Sequence, residues 1–165
     1  GLPAIVGLAL VAGPLPALLS LPGMAIGYLH APQLDTHPVT ATAGYPSGVA
    51  LALLGGTAAQ GGRVWPTAAG FAAVVLVLLS GVKVVDDASD FDYDRSIDKR
   101  TVAVTLGRRR AALVAYGLMA VALAGTAVLS AVRLFPTAQR SRRSHSPPGV
   151  FFALLVAAVW FRPLG

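Results

Sequence analysis

The chain alternates long apolar runs with short polar interruptions, and the runs have the lengths of helices rather than strands. The first, Gly1 to Leu29, is apolar almost without a break and exceeds the ~20 residues that one membrane crossing needs. Gly13-Pro14-Leu15-Pro16 interrupts it, and proline disfavours helix at the residue before it. The pattern predicts one helix ending near Ala12 and a second from about Leu15 to Leu29, with a single kinked helix as the alternative. His30 to Tyr45 is the first polar connection and reads as a loop at headgroup level. It holds His30, Asp35 and His37, but in no zinc spacing. Pro46 to Ala59 is apolar again, with Gly48, Gly55 and Gly56 allowing close helix packing. Gln60 to Arg63 makes a turn, and Trp65 stands where an interfacial aromatic is expected. Thr67 to Val85 is the clearest span, and Ala111 to Val132 is another of suitable length. Arg133 to Gly149 is basic and rich in Ser and Pro, which predicts an exposed loop. Val150 to Phe161 is apolar but short for a crossing.

Composition strengthens this picture. The 165 residues are 55% hydrophobic and 12% charged, with a mean hydropathy of +0.69; a soluble domain carries roughly 25% charged residues. The expected fold class is all-α, a multi-span transmembrane helical bundle, with residues 1–165 forming a single membrane domain. The net charge of +6 does not point to nucleic acid, because the basic residues flank apolar segments, where anionic headgroups or a diphosphate are the fitting partners. No cysteine is present, so disulfide and thiolate chemistry are excluded. No basic segment precedes the first apolar run, so no signal peptide is read there. The start at Gly1, inside that run, raises the expectation that N-terminal helices are missing.

Charge patterning then singles out one stretch. There is no glutamate, and six of the seven aspartates lie between Asp86 and Asp98, leaving Asp35 elsewhere. They follow directly on the Thr67–Val85 span, which places them at one membrane face or in a cavity opening there. Carboxylates this close repel one another, and a cation relieves the repulsion. If the helix continues to Asp94, then Asp87, Asp90 and Asp94 share a face, since steps of three and four return to the same side. Successive carboxylates would stand about 5–6 Å apart along the axis, which suits Mg²⁺ with its mix of carboxylate, water and phosphate ligands. Asp92 and Asp98 fall off this face. Lys83 lies one turn before Asp87, and Arg95, Lys99 and Arg100 follow. Lys and Arg beside a metal-bound diphosphate would stabilise a leaving pyrophosphate. The spacing lacks the glycine and terminal glutamate of an EF-hand; a merely solvated acidic turn is the plain alternative. Counting crossings puts the His30–Tyr45 loop on the same side as the aspartates, with Gly61–Arg63 and Arg133–Gly149 opposite. The basic residues favour the aspartate side as cytoplasmic.

The sequence DASDFDYDRSIDKRT, from Asp87 to Thr101, followed by VAVTLG, resembles the second aspartate-rich motif of the UbiA superfamily of intramembrane prenyltransferases. That motif runs D-x-x-D-x-x-x-D, then a basic segment, a Thr and an L-G. Asp87, Asp90 and Asp94 take its acidic positions, and Lys99-Arg100-Thr101 and Leu106-Gly107 the downstream ones. Gly44 to Gly62 is similar to the family's fifth helix, and the likeness covers roughly residues 1 to 132. The family's first motif, between its second and third helices, is not found, which places the chain's start in helix three. The resemblance implies an integral, multi-pass protein of the cell membrane that moves a prenyl group from a polyprenyl diphosphate to an acceptor embedded in the lipid bilayer, a quinone precursor or glycerol lipid among them. It implies Mg²⁺ bound by Asp87, Asp90 and Asp94, Asp90 and Asp94 as catalytic positions, and the diphosphate contacted by Lys83, Lys99 and Arg100. The apolar helices would wall the isoprenoid tail and keep out water. Two other classes compete. A cation transporter would place its acids within the spans and along a path, whereas these bunch at one boundary. An inactive or partner-dependent membrane subunit would tolerate loss of the carboxylates.

Overall fold

Gly13 adopts a φ of 94°, a conformation that glycine alone reaches without steric cost, and there the first apolar run divides. In this computed structural model, residues 2–29, 33–61 and 65–140 are described, the side chains of Asp35, Trp65 and 133–140 excepted. Helix α1 spans Leu2–Ala12 and α2 spans Pro14–Leu29, as two helices rather than one kinked one. Pro14 opens α2, where its missing N–H loses no helical bond.

The segment expected as a loop from His30 to Tyr45 is helical for its second half. Leu34–Thr36 forms a single 3₁₀ turn, and α3 spans Pro38–Ala59. The local chemistry explains the correction. The His37 Nδ1 accepts the Val39 N–H at 3.3 Å, and Pro38 occupies the first turn, together a start signal for a helix. Pro46 lies inside α3 and leaves the Thr42 carbonyl without its usual helical donor. Gln60 caps the other end, and Gly61 follows at a φ of 89°.

Helix α4 spans Trp65–Ser89 and carries the expected Thr67–Val85 span straight through Asp86 and Asp87. Two short helices follow, α5 over Phe91–Ser96 and α6 over Val102–Leu106. Helix α7 spans Arg108–Arg140, so residues 133–140 are helical where the sequence reading begins a loop. Polarity ended the apolar run at Val132, but polarity alone does not stop a helix. Residues 141–165, with the rest of that predicted loop and the Val150–Phe161 segment, lie outside the described residues.

The fold is all-α: among the described residues there is no strand. Pro66–Ser89 and Arg108–Val132, 24 and 25 residues, are long and apolar enough to cross a membrane. Within the compact unit that ends at Thr126, α2 packs on α1 and α3, α3 on α4, and α6 touches α3, α4 and α5. Helix α7 approaches α4 closely at two glycines. A Cβ on Gly81 would meet the Ala115 carbonyl oxygen and Met119 Cγ at 3.1 Å, and one on Gly125 would meet Val74 Cγ2 at 3.1 Å. Such small-residue contacts are how helices pack where lipid supplies no hydrophobic drive. Between α1, α2 and α3 lies a cavity of about 650 Å³ lined by apolar side chains such as Leu19, Ile26, Val49 and Ala52, with Tyr45 among them.

Candidate active site

The site is built on the buried stripe of α4. Ser80, Val84 and Asp87 recur at steps of four and three and are all buried, so the periodicity that packs α4 also carries Asp87 inward. Beneath it Val84 joins Ala103 of α6 and Ala111 and Ala115 of α7 in a core cluster, with Phe91 and Leu118 against its edge. Asp87 is 1% exposed and Asp94, two turns on, 3%. Carboxylates are almost never buried unless they are paired.

Each has a lysine. Lys83 Nζ donates to Asp87 Oδ1 from one turn earlier on α4, and Lys99 Nζ stands 3.5 Å from Asp94 Oδ1. Asp87 also feels the charges of Lys99 and Asp94, so the four groups form one electrostatic cluster of alternating sign. The second oxygens, Asp87 Oδ2 and Asp94 Oδ2, are buried with no hydrogen-bond partner. An unpartnered buried carboxylate oxygen is costly, and water or a further ligand can satisfy it.

Asp90, expected on the same face, is exposed. It occupies the junction between α4 and α5 with φ −89° and ψ 12°. The ladder is loosened there rather than lost, since Asp90 N–H donates to the Asp86 carbonyl at 3.0 Å and Asp94 N–H to the Asp90 carbonyl at 2.9 Å. Uniform helical geometry from Val82 to Asp94, on which the shared face depends, therefore does not hold. Among the described residues no three carboxylate or imidazole groups gather closely enough to hold a metal by themselves. Arg100 is likewise exposed. Of the residues read from the sequence, the structure brings together Asp87, Asp94, Lys83 and Lys99, and leaves Asp90 and Arg100 outside that cluster.

The loop after Asp94 is fixed by main-chain chemistry. Thr101 is fully buried and caps α6, its Oγ1 accepting the Val104 N–H at 3.3 Å. Gly107 ends α6 at φ 83° and ψ 154°, a region only glycine occupies readily. The Thr and the Gly of the motif are thus the start and stop of one short helix. Arg108 Nη2 then donates to Asp92 Oδ2 at 2.9 Å, and the Arg108 Cζ lies 5.0 Å from the centre of the Phe91 ring. This exposed pair ties α7 to α5. The sequence reading treats Asp98 as solvent-facing, and it is exposed, but its backbone has a role that the charge pattern does not show.

Two carboxylates with free oxygens fit Mg²⁺, a hard cation usually held by one or two carboxylates, waters and substrate phosphates. Asp87 and Asp94 would hold it, and Lys83 and Lys99 stand beside them as point charges suited to phosphate oxygens. No curated protein and no solved structure matches the chain. A comparison with protein families matches residues 2–162 to the UbiA prenyltransferase family. That match runs thirty residues beyond Val132, where the motif-based likeness ends. With its membrane-length helices, its aspartates in motif spacing and a match over nearly its whole length, the chain belongs to the UbiA prenyltransferase family.

Proposed function

We propose that the chain acts in the Mg²⁺-dependent transfer of a prenyl group from a polyprenyl diphosphate to an acceptor dissolved in the bilayer, as a multi-pass protein of the cell membrane. The observation that carries this reading is the pair of buried aspartates, each with one unpartnered oxygen, at the end of a membrane-length helix. Bound there, Mg²⁺ would neutralise the diphosphate and make it a better leaving group. Asp87 and Asp94 hold their oxygens in place through the helix register and their lysines. Lys83 and Lys99, on flexible stems, turn from the carboxylates to the diphosphate oxygens as these arrive. Asp90 is exposed at the helix junction, and on this reading it reaches the ligand from the solvent side. The apolar cavity between α1, α2 and α3 is of a kind that suits an isoprenoid tail. A quinone precursor or a glycerol lipid is the acceptor class this fits.

The test is calorimetric binding of geranylgeranyl diphosphate to the full chain in lipid nanodiscs, with and without magnesium. Asp87→Asn and Asp94→Asn should each weaken the magnesium-dependent binding by about tenfold or more, the loss of one charge-assisted contact. Parental affinity in both variants would sink the reading.

A further inference from the structure

Among the described residues Asp98 is, glycines aside, the one with positive φ, at 54°. This left-handed conformation is disfavoured for L-residues, less so for Asp and Asn, and strongly so for β-branched ones. Its effect is visible in the hydrogen bonds that close α5. Lys99 N–H donates to the Asp94 carbonyl at 2.9 Å, and Asp98 N–H donates to the Arg95 carbonyl at 3.4 Å. These are the two bonds of a Schellman closure, in which the left-handed position is usually glycine. The chain reverses at once, and Lys99 is tied to Asp94 twice: through the main chain, and through an ammonium 3.5 Å from Oδ1. The Asp98 side chain is exposed, so its contribution is made by the backbone.

We propose that Asp98 is a positioning residue: its left-handed turn aims Lys99 at Asp94, and so at the diphosphate of the prenyl donor. The inference rests on the functional reading above. It predicts an ordering of substitutions that charge does not explain. Glycine and asparagine keep the turn and replace Asp98, and valine does not.

The experiment measures geranylgeranyl diphosphate affinity of the full chain in nanodiscs at saturating magnesium. Asp98→Gly and Asp98→Asn should bind within about twofold of the parent, whereas Asp98→Val and Lys99→Met should each bind about tenfold more weakly. If Asp98 acts through Lys99, the double variant Asp98→Val, Lys99→Met binds no more weakly than Lys99→Met, because contacts in one network are not additive. A merely structural role would weaken binding again in the Lys99→Met background, and that additivity overturns the proposal. So does parental affinity in Lys99→Met or in Asp98→Val, or a tenfold loss in Asp98→Gly. Should Asp98→Val fail to fold by circular dichroism, Asp98→Ala takes its place in the same cycle. Parental affinity in Asp87→Asn, measured alongside, would instead remove the functional reading itself.

Discussion

Lys83 and Asp87 show how a buried ion pair behaves when one member is removed. The aspartate side chain is 2% exposed and the lysine 20%, so neither is well screened. Lys83→Met should destabilise the protein by about 3 kcal/mol, because it strands an uncompensated buried carboxylate. Adding Asp87→Asn to it should recover part of that loss, since a neutral amide suffers less from burial. Thermal unfolding in detergent of the two variants checks the ordering; equal or greater loss in the double variant would contradict it. Asp87 and Asp94 were legible from their spacing of seven residues and Lys83 from its place one turn before, whereas Lys99, one of several basic residues after the aspartates, was marked only by the family resemblance. Asp90 stands exposed at a junction that departs from the uniform helix on which its shared face depends, and Arg100, read from the basic segment, is exposed as well. Asp98 was not legible in its role, since an exposed acid in a charged stretch carries no sign of a left-handed backbone.

Helices α4 and α7 depend on each other through glycine. Gly81 has no room for a side chain against Ala115, Leu118 and Met119, whereas a Cβ on Gly117 of α7 would meet nothing within 4 Å. Gly81→Leu should cost about 1–3 kcal/mol as an overpacked contact, and Gly117→Leu should leave stability unchanged or raise it, glycine being a poor helix former. Comparing the unfolding midpoints of the two variants tests whether contact or propensity governs. The sequence marks both glycines alike, and only the packing distinguishes them. The existence of α1 to α4 and α7 was readable from the apolar runs, whereas the short α5 and α6 and the helix ends were less so. α3 starts at His37-Pro38, a capping signal hidden inside a polar stretch, and α7 runs on to Arg140 because a helix is held by its backbone bonds and does not need an unbroken apolar run.

For the molecule as a whole, the lengths of α4 and α7 decide the relation to the bilayer. At ~1.5 Å per residue, the 24 residues of Pro66–Ser89 extend about 36 Å, enough for a hydrocarbon core of ~30 Å. The native chain has no cysteine, so single cysteines report sidedness cleanly. Gln60→Cys and Ser96→Cys, both at exposed positions beyond opposite ends of α4, should react with an impermeant maleimide from opposite faces of sealed vesicles. Labelling of both from one face would show that α4 does not cross. One consequence of the alternating cluster concerns ion coupling. Lys83, Asp87, Lys99 and Asp94 sum to zero charge, so a dication arriving alone meets a neutral, partly dehydrated site and gains little. On the proposed function, a polyanion that draws the two ammonium groups away would leave the same ion two bare carboxylates. Each of the two ligands would then raise the affinity for the other by an equal factor, as linkage requires, so that a site of this kind would respond to the pair rather than to either one.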